Sequence, residues 1–330
     1  MSSQLTSPAQ NSATANKVAA DELVTRSLRH PWRWISAAVL LFLLIIFAHS
    51  IATNEKLDFA AIGQYLFHPR ILNGIVLTIV LTVVAMIVST VLAVLLAAMR
   101  MSGNPVMVAV SAVYVWAFRG TPLLVQVVLW GYLGLLYDRL GFGIPFTDQM
   151  FWSLPTREII TPFVAGLLAL TLNQAAYSAE IVRSGMLSVD SGQLEAAASL
   201  GMSPVRTFRR VMLPQAMRVI IPPMGNELIS MLKNTSLLSV IAVLEVYTVA
   251  MQISSQNLKQ VELLIVVSIW YLALTSLLAI PQHWLEKYFG RGVAGRSPKR
   301  DKRTVNSGNS AGEREPGAAA PADAVKEATK

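Results

Sequence analysis

No cysteine occurs among the 330 residues of this chain, so neither disulfides nor thiolate metal sites arise. Histidine is nearly as scarce. His30, His49, His68 and His283 stand apart without ligand spacing, and no metal site is expected. Charge is thin as well, at 14% of residues against 54% hydrophobic. There is no G-x-x-x-x-G-K-[ST] phosphate loop, so the chain cannot hydrolyse ATP by that mechanism alone. An H-E-x-x-H pair and paired intramembrane aspartates are also missing, which removes the usual intramembrane enzymes. No catalytic residue and no cofactor is expected. No secretory signal is read either, because about 30 mostly polar residues precede the first apolar run.

What the chain does have is apolar length. Several stretches approach the ~20 residues that cross a bilayer, which predicts an all-α, polytopic membrane protein. Six spans are read, at about 34–51, 71–98, 121–137, 162–181, 220–243 and 263–280. Trp32 and Trp34 anchor the first at the interface. Val106 to Phe118 is placed along the interface ahead of the third, and Pro222-Pro223 is expected to bend the fifth. With the N-terminus inside, the inner segments hold 21 Lys and Arg and the outer ones 5. That asymmetry puts both termini and residues 183–218 in the cytoplasm. It also places the net charge of +8 in membrane topology, so no nucleic-acid partner is expected. Residues 1–33 are read as a cytoplasmic segment. Residues 291–330, rich in Gly, Ser, Pro and Ala, have too few large aliphatics to fold and are read as a disordered cytoplasmic tail.

The loop between the fourth and fifth spans carries the sharpest pattern. Asp190 is placed to cap a short helix, with Gln193 in the capping-box position. Leu194, Ala197, Ala198 and Gly201 then share one small face that another backbone can approach closely. Gly201 suits the left-handed residue that ends a helix. Ser203 and Pro204 open a second, basic helix with Arg206, Arg209 and Arg210, and Pro214 is expected to stop it.

The run Gln193-Leu-Glu-Ala-Ala-Ala-Ser-Leu-Gly201, continued by Val211-Met-Leu-Pro214, resembles the coupling loop of binding-protein-dependent ABC importer permeases. Three further stretches resemble the polar amino acid (histidine/glutamine/arginine/opine) branch of that family. They are Tyr114-Val-Trp-Ala-Phe-Arg-Gly-Thr-Pro-Leu-Leu-Val-Gln126, Tyr177 to Gly185 with Val189 to Gln193, and Asn226-Glu227 through Leu232-Lys-Asn-Thr-Ser-Leu237. The resemblance covers about 71–288. It implies a five-helix type I importer permease core there, with residues 34–52 as one extra N-terminal transmembrane helix, in the bacterial inner membrane. It further implies a coupling loop at 190–214, with Glu195, Ala196, Ala197, Gly201, Leu213 and Pro214 engaging partner ABC ATPase subunits. An extracytoplasmic amino-acid-binding protein and a second copy or sibling permease are implied as further partners beside the lipid bilayer. Val211 stands where isoleucine is usual, a change of one methylene.

Polar groups within spans are costly and mark a cavity, a partner or a span end; translocon scales price a central charge at roughly 2.5–3.5 kcal/mol. Asn173, Tyr177 and Glu180 fall on one stripe of the fourth span, and Glu227, Ser230 and Asn234 on one stripe of the fifth. These six are the candidate translocation-pathway residues, with helix-to-helix hydrogen bonding as the competing role. Glu180 has Arg183 or Ser184 as a possible structural partner, Lys233 can snorkel to an interface, and Arg119 reads as an anchor at a span start. One acid per stripe favours neutral-polar or cationic amino acids over anionic ones. The competing function is an ion channel or proton-coupled carrier for small polar solutes. It calls for an inverted repeat or broken helix pair, and no convincing repeat is present.

Overall fold

The computed structural model describes residues 31–144 and 150–289. The expectations for residues 1–30 and for the 291–330 tail lie outside them. The described chain is a helical bundle with one small β-hairpin. Helix α1 is Pro31–Ala52, α2 Phe59–Leu66, α3 Pro69–Arg100, α4 Pro105–Gly120 and α5 Leu123–Gly131. Strands β1 (Arg139–Gly143) and β2 (Met150–Pro155) form the antiparallel hairpin. Helix α6 is Pro162–Leu187, α7 Ser191–Ser199, α8 Leu213–Asn234, α9 Val246–Asn257 and α10 Gln260–Phe289.

The bundle is organised on the pairing of α3 with α6. Its seam is built from small side chains: Ala85, Ala93 and Ala97 of α3 and Ala165, Ala169 and Ala179 of α6 are all buried. In lipid, apolar surface gains little by leaving solvent, so close packing of small residues supplies the cohesion. Gly74 of α3 is one place where that approach is obligatory. A Cβ there would stand 2.9 Å from the Val246 Cα. Helix α1 has the opposite character. Its residues from Trp32 onward are exposed, and it belongs to no core cluster.

Among the described residues, α1, α3 and α10 are long and apolar enough to cross a membrane as single helices, and two bent helix pairs also qualify. Helix α6 has 26 residues, about 39 Å at 1.5 Å per residue, but Asn173, Gln174, Ser178 and Glu180 lower its apolarity. The α4–α5 pair adjusts one expectation. Val106 to Phe118 is not a separate segment but most of helix α4. Helix α4 packs into the bundle, with Ser111 Oγ donating to Leu96 O (2.8 Å) and Tyr114 OH donating to Leu172 O (2.8 Å). Helix α5 then leaves α4 at 99°, across Thr121-Pro122, so the third apolar stretch is a bent pair over 105–131.

A correction concerns the prolines. Pro214 does not stop the helix. A single turn at Pro204–Thr207 runs through a π-turn at Phe208–Met212 directly into α8, with Pro214 in the first turn of α8. The widened turn lets Leu213 N–H reach Phe208 O, five residues back, just before the residue that lacks a donor. Pro222 and Pro223 are also carried inside α8, where Gln282 Nε2 donates to Pro222 O at 2.7 Å. The break in this span comes later, at 242–245, where Ala242 is left-handed (φ 60°) and the axis turns by 45°.

Candidate functional site

Four segments converge on a cavity of about 490 Å³. It is lined by Arg119 to Leu123 at the α4–α5 break, Asn173, Gln174 and Tyr177 of α6, Glu227 and Asn234 of α8, and Leu237 in the 3-10 segment Thr235–Ile241 that follows α8. A smaller cavity of about 330 Å³ shares Arg119, Tyr177 and Glu227 and adds Glu180, Ser184 and Pro223. Asn173, Tyr177, Glu227 and Asn234 are thus brought together. Glu180 joins them only in the smaller space, and Ser230 lines neither.

The walls are held by amide hydrogen bonds. Gln126 Nε2 donates to Phe118 O (2.9 Å) and Thr121 Oγ1 (2.7 Å), which fixes the break between α4 and α5. Asn173 Nδ2 reaches the same Phe118 carbonyl (3.0 Å) and Gln126 Oε1 (3.3 Å). Asn173 is therefore a structural bond-maker at the cavity wall. Gln174 Nε2 donates to Glu227 Oε2 (3.0 Å), so a neutral amide orients the Glu227 carboxylate without cancelling its charge. Glu180 differs. Arg183 holds it through Nε (3.1 Å) and NH2 (2.9 Å), one turn along the same helix. Arg119 has no carboxylate partner among the described residues, and its guanidinium lies 5.2 Å from the centre of the Tyr177 ring. A guanidinium without a salt bridge and a carboxyl group held by a neutral amide thus face the same space. Lys233 is exposed and makes no ion pair with Glu227.

Two groups here were not singled out as pathway residues, Gln126 and Gln174. Gln174 lies beside Asn173 in the sequence, and only the three-dimensional pairing with Glu227 reveals its part. Glu245 was missed altogether. It is fully buried at the N-cap of α9, accepting from Tyr247 N (2.9 Å), Thr248 N (2.7 Å), Thr248 Oγ1 (2.8 Å) and Tyr271 OH (2.9 Å). An acid one residue before a Val-Tyr-Thr helical start was its available signal.

The loop between α6 and α8 holds the second group of candidate residues. Asp190 caps α7, but its Oδ1 accepts from Gly192 N (2.8 Å) in a local turn rather than in a reciprocal box with Gln193. Gly201 is left-handed at φ 69°, as expected of a helix-ending glycine. Ser203 stands at the next helix start without a side-chain cap bond. The small face is divided. Ala197 packs inward, while Glu195, Ala196, Ala198 and Gly201 are exposed. Leu213 is half-buried and Pro214 exposed. Two large apolar residues flank the glycine and face out, Leu200 at 81% and Val205 at 67% exposure.

Comparison with known proteins agrees with this geometry. Residues 89–293 match the family described as binding-protein-dependent transport system inner membrane component. The arginine transport system permease protein ArgU of Corynebacterium glutamicum is 45% identical over 268 residues, covering 81% of this chain and 83% of that protein. The nopaline transport system permease protein NocM of Agrobacterium fabrum is 37% identical over 235 residues, covering 70% and 94%. Among solved structures, an amino acid ABC transporter crystallised with histidines superimposes with a TM-score of 0.59 at 32% identity, over 70% of this chain and 99% of that one. The chain therefore belongs to the family of inner membrane components of binding-protein-dependent transport systems, as a multi-pass permease with the type I importer fold.

Proposed function

We propose that this chain moves neutral-polar or cationic amino acids inward, as the transport subunit of an assembly powered by separate ABC ATPase subunits and fed by an extracytoplasmic amino-acid-binding protein. The observation that carries this reading is the central cavity, where the Arg119 guanidinium and the Glu227 carboxylate both face about 490 Å³ without a salt bridge among the described residues. An amino acid brings one charge of each sign. A carboxylate beside Arg119 and an ammonium beside Glu227 replace lost hydration with charge-assisted hydrogen bonds. Relatives named for arginine, nopaline and cystine transport fit the same class.

The chain works in a pair, with itself or a sibling, because it offers one coupling loop and ABC ATPases close as a pair. The termini and α7 lie in the cytoplasm by the Lys and Arg asymmetry. There Leu200 and Val205 offer exposed apolar contacts beside Gly201 for an ATPase groove. Helix α8 continues from that loop through the π-turn, so displacement of the loop reaches Glu227 and Asn234 along one helical run. Alternating access follows from rocking α8 against the α3–α6 seam.

The test is uptake by the reconstituted complex. Glu227→Gln and Arg119→Gln are each expected to cut amino acid transport at least ~10-fold, the scale of one hydrogen bond to a charged group. Full transport in both variants overturns the cavity assignment. A fully active complex containing one permease chain, by mass measurement, overturns the pairing.

A further inference from the structure

A second cavity, of about 430 Å³, lies next to the first. It is lined by Leu124 of α5, Ser236, Leu237, Ser239 and Val240 of the 3-10 segment, Tyr247 of α9, and Leu264, Val267, Ser268 and Tyr271 of α10. Leu237 lines both spaces, and Leu123 and Leu124 each face one of them. The two cavities are thus consecutive chambers with Leu237 between them. On the orientation proposed above, the second is the outer one, since α10 begins on that side at Gln260.

Its polar lining has a particular character. Five hydroxyls face a space at membrane depth, which acyl chains do not require and which suits a solvated path. Most of their protons are already committed. Ser236 Oγ donates to Lys233 O (2.8 Å), Ser268 Oγ donates to Leu264 O (2.8 Å) and Tyr271 OH donates to Glu245 Oε2 (2.9 Å). The two serine oxygens are left as acceptors, while the Tyr271 oxygen also meets Thr235 Oγ1 at 3.4 Å. Ser239 and Tyr247 make no side-chain hydrogen bond among the described residues and can accept or donate. Behind Tyr247 and Tyr271 stands the buried Glu245 carboxylate, which has no Lys, Arg or His partner among the described residues. Ser236 and Ser268, whose protons are committed, offer this chamber acceptors only, and they fit a group that only donates. Ammonium and guanidinium are such groups, and a carboxylate is not.

Resting on the central-cavity reading, we propose that this outer chamber is a second subsite on the substrate path. It receives the side-chain cation of a basic amino acid before Leu237 yields to the central cavity. Ser236 and Ser268 act there as specificity-determining acceptors, and Glu245 acts through the tyrosines as a positioning residue.

The complex with its ATPase subunits and binding protein, reconstituted in vesicles, tests this with L-arginine and L-glutamine as probes. In a Ser236→Ala/Ser268→Ala variant, arginine uptake is expected to fall about tenfold relative to glutamine uptake, one hydrogen bond to a charged group being worth about that factor. Equal loss for the two probes, or no loss for either, overturns the subsite. Glu245→Gln keeps the shape and most of the cap, and is expected to lower the arginine-to-glutamine ratio in the same direction. An unchanged ratio limits Glu245 to a structural cap and overturns its positioning role.

Labelling separates the two chambers in a chain that has no native cysteine. Ser268→Cys and Tyr177→Cys are treated with aminoethyl methanethiosulfonate, with and without arginine. Both are expected to react and both to be protected by arginine. A protected Tyr177→Cys beside an unreactive or unprotected Ser268→Cys overturns the outer subsite and leaves the central reading standing. A protected Ser268→Cys beside an unprotected Tyr177→Cys does the reverse.

Discussion

The two ends of α8 are built in opposite ways. At its start the chain is loosely held. Helix α7 buries only Ala197, and Leu200, Val205 and Phe208 are exposed. At its far end the turn at 242–246 is clamped from both sides. Thr78 Oγ1 accepts from Val246 N (3.2 Å), Gly74 lies against the Val246 backbone, and Tyr271 holds Glu245 from α10. The loose end exposes Leu200 and Val205 around its turn, whereas the clamped end has its turn tied to both α3 and α10. Helix α8 itself is packed from Ala216 onward, so the loosely held part is the loop that precedes it, the place proposed above for a coupling partner.

The comparison breaks most sharply at Gly201. Any side chain there must adopt the left-handed backbone at φ 69°, which costs a non-glycine residue roughly 1–2 kcal/mol. Gly201→Asp adds a charge to the docking surface as well. Transport by the assembled complex is expected to fall more than ~100-fold, two lost factors of ten at about 1.4 kcal/mol each. Normal uptake and normal assembly with the ATPase in that variant would remove the loop from coupling. Glu195→Ala, on the exposed face of α7, is expected to weaken assembly less.

At the clamped end the expected loss is of stability rather than of coupling. Glu245→Ala removes the acceptor for two backbone N–H groups and two hydroxyls in a fully buried place. A cap is worth about 1 kcal/mol and a buried unsatisfied donor about 1–3 kcal/mol, so a total near 3 kcal/mol is expected. Thermal unfolding in detergent, compared with Glu245→Gln, measures it. If the Ala variant is as stable as the parent, the turn is not a clamp.

A milder change sharpens the contrast from the loose end. Leu200→Ala with Val205→Ala removes two apolar side chains that contribute little to the permease itself, both being mostly exposed. The melting temperature of the isolated permease is expected to stay within experimental scatter, while affinity for the ATPase falls about tenfold or more, at roughly 1.5–3 kcal/mol per side chain that docking buries. A drop in melting temperature with unchanged ATPase affinity would reverse the assignment of the two ends.

These regions differed equally in how far the sequence disclosed them. The loop was legible because its devices are local. Asp190, Gly201 and Pro204 act within a turn of themselves, and each stands where spacing placed it. Pro214 misled because its usual effect depends on the turn before it, and a π-turn at 208–212 absorbed the missing donor. The pairing of Glu180 with Arg183 was also local, and was anticipated. The central cavity was legible only in part. Asn173, Tyr177, Glu227 and Asn234 share it, but Arg119 and Gln174 gain their roles from partners 53 or more residues away, as in the Gln174–Glu227 bond. Ser230 shares the stripe of Glu227 and Asn234 and still misses the cavity. Glu245 had a local cap signal, but its bond to α10 was not legible. Its donor Tyr271 lies 26 residues on, and no one-helix periodicity links them.

The smallest expected effect belongs to the latch between the starts of α2 and α10. Lys259 Nζ bonds Asp58 Oδ2 at 3.0 Å, and Glu262 Oε1 accepts from Asp58 N at 3.2 Å. The Asp58 carboxyl sits below the usual range, first because Ala61 N–H donates to it and then because Lys259 does. Lys259 is raised above its ordinary value by the same bond. The signs set a wide window. Asp58 contributes above its unfolded pKa and loses that contribution as pH falls through its lowered folded value. Lys259 contributes below its unfolded pKa and loses it as pH rises through its raised folded value. Between roughly pH 5 and 9 both are charged, given reference values near 3.9 and 10.4, so acidification across neutral pH should not open the latch. Both side chains are about 40% exposed, which keeps the pair weak and sensitive to salt. Asp58→Asn is therefore expected to leave transport intact and to lower the melting temperature slightly at low salt, with the difference fading at high salt. A large loss of transport in Asp58→Asn would show that the latched end is mobile after all, and that the clamp at 242–246 does not act alone.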